Sequence, residues 1–132
     1  FEIKPGDPDS QTQAMYAFKK PATLYGVTPH MHLRGKWMKF EALYPNGKRE
    51  VLCSVPRYDF NWQQTYRLKE PRKLPAGTWI LLTGGYDNSR RNPANPDANK
   101  TVHWGDQSFD EMFLGYYNVA WEPDSEQRAD AR

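Results

Sequence analysis

The chain has 132 residues, with 18 lysines and arginines against 16 aspartates and glutamates, a formal net charge of +2. That length holds one domain, and so even a balance excludes a strongly basic nucleic-acid binder or an acidic solvating tail. No apolar run approaches the ~18–20 residues that cross a bilayer, and no amino-terminal stretch reads as a signal peptide. Eleven prolines and nine glycines leave no window for a long helix, because proline interrupts the helical hydrogen-bond ladder. Aromatics make up 14% of the chain, which favours strands. Cys53 is the one cysteine, so an internal disulfide, a zinc ribbon and a CxxC redox centre are excluded.

In chain order, residues 1–13 read as an extended, polar lead-in. Strands are predicted over 14–18 and 23–31, with Pro21 at the junction. Residues 36–44 alternate, with Met38, Phe40, Ala42 and Tyr44 on one face and Lys39 and Glu41 on the other. Pro45-Asn46-Gly47-Lys48 is a hairpin turn signal, and 50–55 is the return strand. Further strands are predicted over 63–68 and 78–86. Residues 87–99 form a loop, marked by Asp87-Asn88-Ser89, Asn92-Pro93 and Asn95-Pro96-Asp97. A last aromatic strand covers 112–121, although Asp110-Glu111 could also open a short helix. Residues 122–132 are a polar tail. Many short strands at this spacing imply an all-β sandwich or barrel, with the folded domain over 14–121. Trp37, Trp79 and Trp121 are expected in its core, and Cys53 as a small core residue.

The sharpest local feature is Pro29-His30-Met31-His32. Alternate side chains of a strand share a face, so His30 and His32 point the same way, close enough to chelate one metal. Imidazole suits copper, zinc, iron and nickel; the plainer reading is two surface histidines around a core methionine. His103 is the one remaining histidine, so a three-imidazole site must use it. Among the methionines, Met15, Met31, Met38 and Met112, a thioether ligand would favour Cu(I), but methionine is more often a gap-filler in a core. Gly84-Gly85 lacks a phosphate-binding pattern, and there is no GxSxG elbow. The five tryptophans could also form a carbohydrate-stacking platform. Arg90-Arg91 is too small for a nucleic-acid footprint.

The segment Pro29-His30-Met31-His32-Leu33-Arg34-Gly35-Lys36 resembles the His-x-His-Leu-x-Gly-Lys/Arg motif of the copper type II, ascorbate-dependent monooxygenases, the peptidylglycine α-hydroxylating and dopamine β-monooxygenase family. The likeness continues through Pro45-Asn46-Gly47, Tyr58-Asp59-Phe60-Asn61-Trp62-Gln63, Leu74-Pro75-Ala76-Gly77-Thr78 and Gly85-Tyr86-Asp87-Asn88-Ser89. It ends at Asp110-Glu111-Met112 with Tyr116-Tyr117, similar to the family's Glu-Met-Cys and Tyr-Tyr ending. It spans roughly residues 18–121, in the family's order.

The resemblance implies a jelly-roll-like antiparallel β-sandwich corresponding to the family's second, catalytic-copper domain. It implies His30 and His32 as imidazole ligands, Met112 as the thioether ligand and Tyr116 as a substrate-pocket residue. Phe113 stands where the animal enzymes have cysteine, and their disulfide partners are absent. Thr28 replaces the arginine used for peptide-carboxylate recognition. The 90–104 loop is longer and carries His103, which either approaches the site or lies on the surface. The three-histidine electron-transfer site of the family's first domain has no counterpart in the chain.

The expected function is therefore that of a mononuclear copper domain, the oxygen-activating half of a monooxygenase that hydroxylates C–H bonds. Dioxygen is its co-substrate and ascorbate its reductant, with electrons supplied by another domain, a partner or a small molecule. The family implies a periplasmic or secreted location. The alternatives are a copper-binding or electron-transfer module without hydroxylase activity, and a ligand- or carbohydrate-binding jelly roll whose histidines are incidental.

Overall fold

The computed structural model describes residues 1–123; positions 124–132 of the expected tail lie outside the described residues. There are nine strands and no helix among them: β1 (Glu2–Ile3), β2 (Ser10–Phe18), β3 (Ala22–His30), β4 (Gly35–Leu43), β5 (Arg49–Val55), β6 (Tyr66–Leu74), β7 (Thr78–Tyr86), β8 (Val102–His103) and β9 (Leu114–Trp121). They form a four-stranded sheet in the order β2-β7-β4-β5, a three-stranded sheet in the order β6-β3-β9, and the short pair β1-β8. Every ladder is antiparallel. The chain is an all-β sandwich, as its proline content and alternating patterns require.

The inward faces of the two large sheets supply one core, including Phe18, Leu24, Val27, Met31, Met38, Phe40, Ile80 and Leu82. The alternation of β4 holds: Met38, Phe40 and Ala42 are fully buried. On its other face Glu41 takes Lys39 at 2.9 Å and both Arg49 nitrogens at 3.0 Å. The β4–β5 hairpin closes with Gly47 donating its N–H to the Tyr44 carbonyl. Gly47 alone is left-handed there, at φ 85°. Pro45 and Asn46 keep negative φ, so the turn is a three-residue form with a closing glycine instead of the two-residue Asn-Gly form.

Three differences from the sequence reading have physical causes. Residues 10–13 are part of β2, paired to β7 from Ser10↔Tyr86 onward, and Ile3 is buried in the core, so the lead-in is largely structured. Trp79 and Trp121 are not core residues; they are 45% and 50% exposed. Trp79 alternates with buried Ile80 and so lies on the outer face of β7. Trp121 ends the edge strand β9, where its ring meets Phe18 at 5.5 Å with one side left to solvent. The last strand begins at Leu114, so Met112 precedes it.

One irregularity decides where His30 points. Along β3 the buried positions are Ala22 and Leu24, then Val27 and Met31. The parity changes because the ladders to both β6 and β9 shift register between Leu24 and Gly26. This β-bulge inserts Tyr25, a half-exposed residue, and reverses the facing of everything after it. Without it His30 would point into the core. With it His30 stands on the outer face of the three-stranded sheet and Met31 packs inside, while His32, just past the strand, is itself buried with its ring beside that of His30.

Candidate metal centre

His30 ends β3, and His32 follows in the corner leading to β4. Their ring centroids are 5.2 Å apart with planes at 85°. Two imidazoles bound to one ion through nitrogen at about 2.0–2.1 Å and a near-tetrahedral angle hold their centroids about 5 Å apart. The pair therefore has the separation that a shared ion requires.

The hydrogen bonds fix which ring nitrogens are free. His32 Nδ1 lies 3.2 Å from the Asp110 carbonyl; a carbonyl only accepts, so Nδ1 carries the proton. His30 Nδ1 lies 2.6 Å from Gln63 Oε1. The Gln63 amide is oriented by its Nε2, which donates to the Phe60 carbonyl at 2.9 Å, so its oxygen faces His30. Both Nδ1 atoms thus donate, and both Nε2 atoms keep a lone pair. Fixing one imidazole nitrogen to a carbonyl so that the other can ligate is the usual second layer of a metal site.

The backbone between and after the histidines is held as firmly. Tyr58 Oη donates to the Met31 carbonyl at 2.7 Å and accepts the Met31 N–H at 3.0 Å. Burial, foremost, pushes that phenol up to about 12, so it stays protonated and able to do both. Gly35 is required beside it, because a Cβ there would meet the Tyr58 ring at 2.6 Å and Met31 Cβ at 2.8 Å.

Glu111 is fully buried. Its Oε2 accepts the His32 N–H at 2.8 Å and its Oε1 the Arg34 N–H at 2.7 Å. The side chain thereby replaces the strand partner that β9 would have offered had it extended past Leu114. Burial pushes its carboxyl up to about 7, against the amides of Arg34 and His32, the Arg34 charge and the Met112 amide, which all favour the ionised form. Arg34, also fully buried, donates to Asn88 Oδ1 at 2.9 Å and to the Phe109 carbonyl at 2.8 Å. Asn88 in turn donates to the carbonyls of Lys4 and Lys100, which anchors the 87–99 loop against both.

Met112 is half-buried. It lies two residues before β9, and the ladder to β3 ends at His30↔Leu114. Its carbonyl accepts the Tyr86 hydroxyl at 2.5 Å, and its two predecessors are both bonded to His32. Tyr116 is 54% exposed with its ring 6.4 Å from that of His30, and Phe60 flanks His32 at 6.0 Å. His103 is exposed on β8 opposite Glu2. No group of three or more His, Cys, Asp or Glu side chains among the described residues is arranged to hold a metal, so His103 does not complete the pair.

Sequence reasoning singled out the histidines, Met112 and Tyr116 but assigned no role to Glu111, Gln63, Tyr58 or Arg34. The signal for Glu111 was its position before Met112; Tyr58 and Gln63 lay in the aromatic segment carried only as a likeness. Two imidazoles this close are a donor pair that copper, zinc, iron or nickel could share. No protein-family model matches this chain, and no curated protein matches it in sequence.

Proposed function

We propose that this chain is a mononuclear copper domain of the ascorbate-dependent monooxygenase type, with His30, His32 and Met112 as ligands. The observation that carries this reading is the pair of Nδ1 hydrogen bonds, to Gln63 and Asp110, which leave the Nε2 atoms of two neighbouring rings as the donors. When bound, copper supplies one-electron exchange with dioxygen, and the soft thioether of Met112 favours its reduced form. The balance is R–H plus dioxygen, two electrons and two protons giving R–OH and water; ascorbate supplies the electrons, directly or through an electron-transfer domain or partner.

The remaining roles fall to the chain itself. Gln63 and the Asp110 carbonyl orient the rings, Tyr58 fixes the Met31 spacer, and Glu111 ties the Met112 segment to His32. Phe60 and Tyr116 wall the open side where a substrate C–H bond would lie. An oxygen-using copper site of this kind suits a periplasmic or secreted setting.

Copper titration followed by electron paramagnetic resonance tests the ligand set. Binding of one ion is expected, with loss of signal in His30→Ala and His32→Ala and weakened Cu(I) binding in Met112→Ala. If all three variants bind copper as the parent does, the ligand set is wrong. Incubation with ascorbate and labelled dioxygen then separates a monooxygenase from a copper-binding or electron-transfer module. Label in a hydroxylated product supports the former, and peroxide release alone the latter.

A further inference from the structure

The bulge that turns His30 outward also borders a hollow on the same face. Gly26 pairs with Arg67 on one side and Asn118 on the other, where β6 comes too close to admit a side chain. A Cβ there would meet the Tyr66 carbonyl at 2.9 Å. Beside Gly26 lies a cavity of about 440 Å³, lined by Tyr25, Arg67, Leu68, Pro71, Asn118 and Val119. Its size falls in the range of small-molecule sites.

We propose that this hollow is an anion subsite in which Arg67 and Asn118 hold the carboxylate head of an elongated organic acid. The acid's tail runs along the sheet to the histidine pair. The head site stands on its own residues; the placement of the tail rests on the copper reading above.

The charge pattern favours an anion. β6 carries Arg67, Lys69, Arg72 and Lys73 against one acid, Glu70. Basic residues on an edge strand commonly serve only to prevent pairing with another chain. Arg72 and Lys73 are also engaged, with Glu50 and Glu122. Arg67 lines the cavity beside Asn118, and among the described residues it has no ion-pair partner. Its planar fork matches a carboxylate bidentately, and the Asn118 amide adds a donor.

The path from head to metal is set by the ladder. Successive outward rows are Arg67–Gly26–Asn118, then the row of Thr28 and Tyr116, then the row of His30 and Leu114. Gly26 and His30 are four strand steps apart, about 13 Å, close to the length of a ten-carbon chain. The floor between is undemanding, because the Thr28 and Thr65 hydroxyls bond each other at 2.8 Å and need no polar group from a ligand. Tyr116 stands along one side.

The probes are decanoate, hexanoate and decanamide, titrated into the metal-free chain by nuclear magnetic resonance. Decanoate is expected to bind saturably. Arg67→Ala should weaken it at least tenfold, Arg67→Lys less, and decanamide should bind at least tenfold more weakly than decanoate. With Cu(II) added, the methyl end of decanoate should broaden before its α-methylene, while hexanoate stays sharp at both ends. Unchanged decanoate affinity in Arg67→Ala overturns the subsite, whatever copper does. Broadening that starts at the α-methylene overturns the orientation. If the parent takes up no copper, the copper reading fails and the tail placement with it, while the Arg67 comparison still decides the head site.

Discussion

Two buried carboxylates, Glu41 and Glu111, are 4% and 0% exposed, yet they are satisfied in opposite ways. Glu41 sits on the outer face of β4, where the Arg49 hydrogen bonds, with help from Lys39, hold its carboxyl below the usual carboxylate range. Glu111 sits beneath the histidine corner and receives backbone amides from the segment carrying His32; burial pushes it up. The first is an ion-pair cluster on a sheet, whose loss leaves the strands paired. The second does the work of a missing strand, holding two segments that are 79 residues apart in sequence. The same side-chain type is thus ornamental to the fold in one place and structural to the site in the other.

Removing Glu111 should therefore have the largest effect. Glu111→Ala leaves the His32 and Arg34 amides buried without partners, at about 1–3 kcal/mol each, and removes a carboxylate charge that favours the buried Arg34 guanidinium. Chemical denaturation should show that loss, with copper uptake reduced in whatever fraction stays folded. Glu111→Gln, which keeps the volume and one acceptor oxygen, should recover part of the stability. If Glu111→Ala unfolds no earlier than Glu41→Ala, the contrast between the two carboxylates fails. Next comes Tyr58→Phe, which deletes both bonds to Met31. Leaving that backbone unsatisfied costs about 1–3 kcal/mol, again read by denaturation.

These sites differ in how far sequence alone reveals them. The alternation of Met38, Phe40 and Ala42, the Pro45–Lys48 turn and the nearness of His30 and His32 are local, and each follows from a period of two or a turn preference. Which face His30 occupies is not local. It depends on the extra residue at Tyr25, and a one-residue slip reverses every side chain after it. The exposed Trp79 shows the same limit, since an aromatic on a strand pattern has two faces to choose from. Glu111, Gln63 and Tyr58 act through single side-chain contacts to distant segments, which leave no periodic trace. Only their nearness in sequence to motif residues marked them.

The metal shell offers a smaller effect. Gln63→Ala removes the acceptor that orients His30 without touching a proposed ligand. Second-layer losses of this kind reduce metal affinity about 10–100-fold. Competition with a calibrated copper chelator measures it, and Gln63→Glu, which keeps the acceptor, should restore most of the affinity. A fold-wide loss of stability in Gln63→Ala would instead make Gln63 a structural residue like Glu111.

The smallest effect, and the one that completes the contrast, belongs to Glu41. Its carboxyl is held below its ordinary value by Arg49 and Lys39, so in the folded state it gives up its proton more readily than in the unfolded chain. The stability it contributes is fully present above the unfolded value and disappears as pH falls through the folded one. Glu41→Gln should then differ little from the parent in acid, where both side chains are neutral, and fall behind it as the pH rises toward neutrality. Unfolding midpoints between pH 3 and pH 7 would show the gap opening across the carboxylate range. Because Arg49 is largely exposed, with 57% of its side chain accessible, salt should narrow that gap. A gap that ignores both pH and salt would mean that Glu41 acts through packing, and the distinction drawn between an ion-pair cluster and a backbone clasp would lose its electrostatic basis.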